Sequence, residues 1–245
     1  MNYKSENISN IGIEYLKKIK YTFLNETTNF REIRLGDITE NVIYRSSYPI
    51  FRIQPERDEA YKELIIDSGI NCVLSLAENN DGIERIACIA DWYNNIFKKQ
   101  NVIGLDIQFD FNFDNNYEKK IFHYKLKQGL QFLINHKGPY LIHCNAGRDR
   151  TGFFTAILGL LCNSSIDEVI YDYLLSYGVK FANLKNDELN YTTGKIIYDQ
   201  IDTIINGNLK DTYNLFKNIE QYFINDIGLT TDEIDLLRKI LQKNI

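Results

Sequence analysis

The residues best placed to do chemistry lie together in the segment Leu141-Ile142-His143-Cys144-Asn145-Ala146-Gly147-Arg148-Asp149-Arg150-Thr151-Gly152. A thiol becomes a strong nucleophile on ionisation. Five residues separate Cys144 from Arg150, enough for the backbone to curl so that successive N–H groups converge as an anion nest. Those N–H groups, with the N-terminus of a following helix, favour both a bound phosphate and the thiolate of Cys144. Arg150 adds a planar fork of donors matched to two phosphate oxygens, and Gly147 a position free of Cβ constraint where the curl is tightest. Thr151 can donate its hydroxyl to the sulfur when the sulfur leaves. His143 is expected to fix the loop through hydrogen bonds rather than to transfer protons. The chemistry is phosphoryl transfer from an ester to sulfur, with Asn145, Ala146, Gly147, Arg148, Asp149 and Arg150 as the phosphate-binding set.

The plainer alternative makes Cys144 a buried apolar residue beside a Gly that merely ends a strand. Six specified residues (His, Cys, Gly, Arg, Thr, Gly) within ten positions fall together by accident in on the order of one chain in 10^5, which decides against it. The segment has neither the G-x-G-x-x-G of a dinucleotide fold nor the G-K-[ST] of a nucleotide-binding loop.

Such a loop needs a buried strand to end at its first residues and a helix to begin at its last. Tyr140 to His143 reads as that strand, and Thr151 to Leu161 as a strongly apolar helix. Short β-branched and apolar runs at Val42–Tyr48, Asn71–Leu76 and Val102–Phe111 predict further strands. Helical spacing occupies Glu56–Asp67, Gly82–Phe97 and Asn116–His136. Alternating strand and helix predicts an α/β fold with a mostly parallel central sheet flanked by helices. Past the loop the chain reads helical throughout. Ser165 with Glu168, and Thr230 with Glu233, form capping boxes, the first for a helix running to about Tyr177 and stopped by Gly178. Further helices are expected near Asp187–Ile205 and Leu209–Asp226, ended by Gly207 and Gly228. The expected organisation is an N-terminal extension over 1–28 and one domain over 29–245. Its sheet core runs to about residue 162, and residues 165–245 form an added C-terminal helical layer.

With 245 residues, 44% hydrophobic and 25% charged, the chain can build one large core. A net charge of −5 gives no global attraction to nucleic acid or an anionic bilayer, so no nucleic-acid partner is expected. There is no apolar run long enough for a membrane span and no secretory leader pattern. Cys72, Cys88 and Cys162 read as buried small hydrophobes of a reduced, cytoplasmic protein. His123, His136 and His143 are not spaced as metal ligands, so neither metal nor cofactor is expected.

The segment resembles the H-C-x-x-G-x-x-R-[ST] loop of the protein tyrosine phosphatase superfamily. Its Ala146-Gly147-Arg148-Asp149-Arg150-Thr151-Gly152 form is similar to a bacterial branch acting on phosphotyrosine and phosphoinositides. Asn29-Phe30-Arg31, Tyr44-Arg45-Ser46, Asp172-Tyr173-Leu174-Leu175-Ser176 and Gly228-Leu229-Thr230 through Leu237-Arg238 resemble further segments of that branch, so the likeness covers about residues 29 to 241. Two departures stand out: Glu32-Ile33-Arg34-Leu35-Gly36 replaces an acidic residue and a Gly pair, and Leu74-Ser75-Leu76-Ala77-Glu78 replaces an Asp-Leu-Arg. The resemblance implies a phospho-cysteine intermediate and an Asp acid about thirty residues before the Cys. Asp114 lies 30 residues upstream, Asp110 34 and Asp106 38. Asp114 is the first choice, with helix capping as its other reading. Asp149 is its rival, as an acid beside the loop Arg or as a group that bonds the loop backbone. Arg148 is either a contact for a second phosphate or a solvated charge, and Arg45 is expected to pair with an acid in the scaffold.

The expected substrate is phosphotyrosine in protein, then a phosphoinositide or inositol phosphate. Two other classes compete. A non-catalytic phosphate-binding module has no need of a thiolate, and a rhodanese-like sulfur carrier does not explain His143 or Arg150-Thr151-Gly152. Nothing in the sequence specifies an oligomeric state.

Overall fold

The run Tyr140–His143 (β5) is buried along its whole length, as a strand covered on both faces must be. It lies between two parallel partners, Ile43–Ser46 (β2) and Cys72–Ser75 (β3). Val102–Gly104 (β4) continues the sheet in parallel beyond β3, and Arg31–Glu32 (β1) adds an antiparallel edge beside β2. The order is therefore β1-β2-β5-β3-β4. This computed structural model describes residues 12, 14–19, 28–50, 55–108, 116–178, 188–205 (188–191 by backbone alone), 209 and 214–242.

Alternation along the strands builds a core on each face of the sheet. Tyr44, Val73 and Leu141 point to one side, where Pro55–Asp67 (α1), Asn80–Ala87 (α2) and Asp91–Phe97 (α3) supply Tyr61, Ile65, Ile83, Ile86, Tyr93 and Ile96. Ile43, Cys72, Leu74, Tyr140 and Ile142 point to the other. There Asn116–Asn135 (α4) and Asp149–Leu161 (α5) cover the sheet. Ile166–Leu175 (α6), Glu188–Ile204 (α7), Leu215–Tyr222 (α8, continued by a π turn over Phe223–Ile227) and Thr231–Gln242 (α9) form the outer helical layer. Residues 14–19 are helical, and Tyr15 and Ile19 belong to this larger core.

Helix α5 shows which force dominates. Two Gly and two Thr weaken it by roughly 0.5–1 kcal/mol each against better helix formers. Every residue from Thr151 to Leu161 is nevertheless buried, and each large apolar side chain contributes roughly 1.5–3 kcal/mol by leaving water. Packing therefore outweighs propensity, and the helix starts where the loop needs it.

Two predicted elements and one cysteine differ from the sequence expectation. Gly82–Phe97 is not one helix, because Ala90 is extended (φ −127°, ψ 115°) and divides it into α2 and α3. Of the predicted strand Val102–Phe111, Val102–Gly104 is in the sheet and Leu105–Gln108 is not, while residues 109–111 lie outside the described residues. Asp106 takes a left-handed φ of 43°, while Leu105 and Ile107 still donate to the carbonyls of Ser75 and Leu76. Cys88 is exposed rather than buried, since it ends α2 at the surface. Both capping boxes form: Ser165 and Glu168 exchange bonds of 3.2 and 3.0 Å, Thr230 and Glu233 bonds of 2.8 and 3.2 Å. Among the described residues no helix is long and apolar enough to cross a membrane.

Candidate active site

Ser46 and Ser75 both stand opposite His143 in the ladder, so three parallel strands end level and the loop after β5 sits at their common carboxyl edge. Four consecutive loop carbonyls are then taken up by the scaffold. The Asn145 carbonyl accepts from the Tyr48 amide at 2.9 Å, and that of Ala146 from Asn29 Nδ2 at 3.1 Å. Gly147 accepts from Asn29 Nδ2 at 3.0 Å and Arg45 Nη2 at 2.6 Å. Arg148 accepts from Arg45 Nη2 at 3.2 Å and the Gly152 amide at 2.5 Å. Among the described residues, the amides of Asn145, Ala146, Gly147 and Arg148 donate to no acceptor in the chain. Gly147 has the left-handed φ, 66°, that such a curl demands. Carbonyls held by the scaffold and donors left over are the makings of an anion nest at the N-terminus of α5.

Cys144 opens the loop, 3% exposed, and Arg150 closes it from the first turn of α5, half-buried. One amine of Arg150 reaches back to the carbonyls of Leu76 and Ile107 at 3.4 and 3.3 Å, which ties the guanidinium to the segments following β3 and β4. The Thr151 hydroxyl is buried with no partner. His143 is fully buried, and neither ring nitrogen meets a partner in hydrogen-bond geometry. Burial pushes its pKa down to about 4, helped by Arg150 and opposed by the adjacent Cys144 backbone. Its ring lies edge-on to Tyr48, 5.9 Å between centroids. Burial and the neighbouring Glu78 carboxylate push the Tyr48 phenol up to about 12.

Asp149 accepts a 2.6 Å hydrogen bond from the Tyr173 hydroxyl, which itself lies 3.4 Å from that of Tyr177. The guanidinium of Arg148 stacks over the Tyr177 ring at 5.0 Å. These four side chains form a strip running from the loop onto α6. Asp114 and Asp110 lie outside the described residues. Asp106 is placed beside Lys125, 3.8 Å away. Arg45 pairs with Asp172 in the scaffold and reaches the loop as well. Among the described residues no group of three or more His, Cys, Asp and Glu is arranged to hold a metal. Sequence reasoning about the loop missed Asn29, Tyr173 and Tyr177 as its contacts. All three fall in or beside the segments Asn29-Phe30-Arg31 and Asp172 to Ser176, whose spacing from the loop gives no sign of proximity.

The fold and this loop define a class. The chain belongs to the tyrosine phosphatase family, whose sequence profile matches residues 107–243, more than half its length; it is a phosphatase. Among solved structures it is similar to the core catalytic domain of the PP-IP phosphatase Siw14 from S. cerevisiae in complex with citrate, at 22% identity over 74% of this chain and 92% of that one, with a TM-score of 0.39. A second structure of the Siw14 catalytic core matches at 21% identity over 72% and 94% of the two chains, with a TM-score of 0.41. No curated protein matches the chain.

Proposed function

We propose that the protein hydrolyses phosphate monoesters, phosphotyrosine in protein first among them, through a phospho-cysteine intermediate. The observation that carries this reading is the set of four loop carbonyls held by the scaffold, which leaves four consecutive amides unpaired between Cys144 and Arg150. The amides and Arg150 take the non-bridging oxygens, and the Cys144 thiolate attacks phosphorus in line as the ester P–O bond breaks. Water then attacks phosphorus, giving its proton to the carboxylate that protonated the ester oxygen, while the S–P bond breaks, Thr151 donates a hydrogen bond to the departing thiolate and inorganic phosphate leaves. His143, neutral because its pKa is held near 4, takes no part as a proton donor at neutral pH. The leaving-group proton is assigned to Asp114, since Tyr173 already occupies the Asp149 carboxylate at 2.6 Å; Asp149 then serves the loop's placement. Metal ions are not required in this scheme, and a cytoplasmic location agrees with a reduced thiol.

Tyr48, beside the loop, offers an aromatic wall to an aryl ester. A second reading, an inositol phosphate or phosphoinositide, is favoured by Arg148, which is held on Tyr177 where a further phosphate could meet it. The test is hydrolysis of an aryl phosphate in EDTA by the wild type and by Cys144→Ser. The wild type should turn over and the variant should not; undiminished turnover by the variant removes the covalent route. A parallel panel of phosphotyrosine, phosphoserine, phosphoinositide and inositol phosphate substrates, with Arg148→Ala, ranks the two readings. Release of no phosphate from any of them, with binding intact, makes the chain a receptor for phosphate rather than an enzyme.

A further inference from the structure

Asn29 and Arg31, Arg45, and Asp172 with Ser176 come from three distant segments and meet in one buried cluster on the carbonyl side of the phosphate loop. The Arg31 and Arg45 side chains have no exposure and Asp172 has 2%. Arg31 donates from Nε to Asp172 Oδ1 at 2.8 Å, and from Nη2 to the Asp172 carbonyl at 2.6 Å and Ser176 Oγ at 3.0 Å. Arg45 donates from Nη1 to Asp172 Oδ2 and, at 3.3 Å, to Thr155 Oγ1, and from Nη2 to Ser176 Oγ at 3.1 Å. Tyr15 adds a hydroxyl to Asp172 Oδ1 at 3.1 Å.

Each arm of this cluster ends on the loop. Arg45 Nη2 holds the carbonyls of Gly147 and Arg148. Arg31 Nη1 donates to Asn29 Oδ1 at 2.5 Å, which fixes the Asn29 amide so that its nitrogen faces the carbonyls of Ala146 and Gly147. Asp172 thus stands two links from the loop through Arg45 and three through Arg31 and Asn29. Burial alone would raise its pKa, and the two guanidinium groups more than reverse that, so it is an anion between two cations.

Stability is a poor reason for such an arrangement. Each buried ion costs several kcal/mol in lost hydration, and an apolar trio of equal volume does as well or better. An apolar trio cannot aim donors at three successive carbonyls.

We propose that Asp172 is the positioning residue of the phosphate loop: by orienting Arg45 directly, and Asn29 through Arg31, it turns the carbonyls of Ala146, Gly147 and Arg148 away from the nest and leaves their amides for the transferred phosphoryl group. This deepens the phosphatase reading of the loop and rests on it. Motif segments far from the loop in sequence become parts of one device whose output is the loop's shape.

The test uses the full chain and inorganic tungstate, a non-covalent phosphate mimic, titrated by calorimetry alongside kcat and KM on an aryl phosphate. Asp172→Asn removes the anion. Asn29→Gly removes the loop contacts of one arm without changing charge, and Gly tolerates the φ of 51° found there. Both variants are expected to lose at least tenfold in tungstate affinity and in kcat/KM at temperatures where circular dichroism shows them folded. Folded variants that bind tungstate and turn over like the wild type, with only a lowered Tm, overturn the proposal and leave the cluster a packing feature. If Asp172→Asn does not fold, Asn29→Gly decides alone. Wild-type chain that binds no tungstate, or Cys144→Ser that keeps full turnover, overturns the phosphatase reading instead, a result separate from unchanged variants of an active wild type.

Discussion

Gly147 stands so close to Ser46 that a β-carbon on it would lie 2.3 Å from the Ser46 carbonyl oxygen and 2.6 Å from the Ser47 amide nitrogen. The obstacle is backbone at the end of β2, which cannot swing aside as a side chain would. The curl of the loop and the position of its neighbouring strand are therefore one geometric fact.

Gly147→Ala is accordingly expected to displace the loop rather than unfold the protein. A left-handed φ on a non-Gly residue costs roughly 1–3 kcal/mol, which at this size lowers Tm by roughly 2–12 °C. Aryl phosphatase activity should fall at least 100-fold, because a shift of about 1 Å is enough for that. Wild-type kcat/KM in the folded variant would show that the curl is not needed.

Arg150 touches two carbonyls from the segments that follow β3 and β4. Arg150→Lys keeps the charge but loses the fork, so kcat is expected to drop about 100- to 1000-fold, the range for removing one transition-state donor, with tungstate binding weakened as well. Steady-state kinetics of the folded variant checks this. A loss below threefold would mean that charge alone, without geometry, serves the site.

His143 makes stability depend on pH. Its folded pKa, about 4, lies below the ordinary 6.5, so between those values the unfolded chain binds a proton that the native chain does not. Stability is then full above pH 6.5 and falls with falling pH, by about 3 kcal/mol on reaching pH 4. Urea denaturation at pH 7.5, 5.5 and 4.5, compared between the wild type and His143→Asn, reads this directly: the variant should show a shallower loss. Equal slopes would deny the imidazole its part in acid sensitivity.

The Tyr173 hydroxyl and the Asp149 carboxylate act as a unit if Asp149 places the loop. Tyr173→Phe should cost about tenfold in kcat/KM, the worth of one hydrogen bond to a charged group at the low end. Asp149→Asn should cost a similar amount, and the double variant little more. Asp114→Asn, by contrast, should flatten the alkaline limb of the pH–rate profile. A flattened limb in Asp149→Asn would transfer the acid role to Asp149.

The loop was legible in the sequence as a candidate site, because Cys144, Gly147, Arg150 and Thr151 fall within a few residues, where spacing along the chain nearly equals spacing in space. The strands at Tyr140–His143 and Asn71–Leu76 were legible for a related reason: a strand buried on both faces must be apolar throughout. Periodicity failed where a single backbone conformation intervened, as at Ala90 between α2 and α3 and at Asp106 after β4. It failed also at β1, whose two residues carry too little pattern to detect.

By itself the sequence singled out Cys144 and Arg150 as the candidate nucleophile and clamp and determined the layered α/β plan and the capped C-terminal helices, since each depends on local spacing or on the period of burial. Only the tertiary structure decided that Asn29, Arg31 and Arg45 would meet Asp172 beneath the loop, with Arg45 and Asp172 127 positions apart in the chain. That meeting follows from β2 lying next to β5 and from α6 packing over α5. Contacts of that kind come from how whole faces fit together, and a linear order of residues does not encode them in any pattern short enough to read.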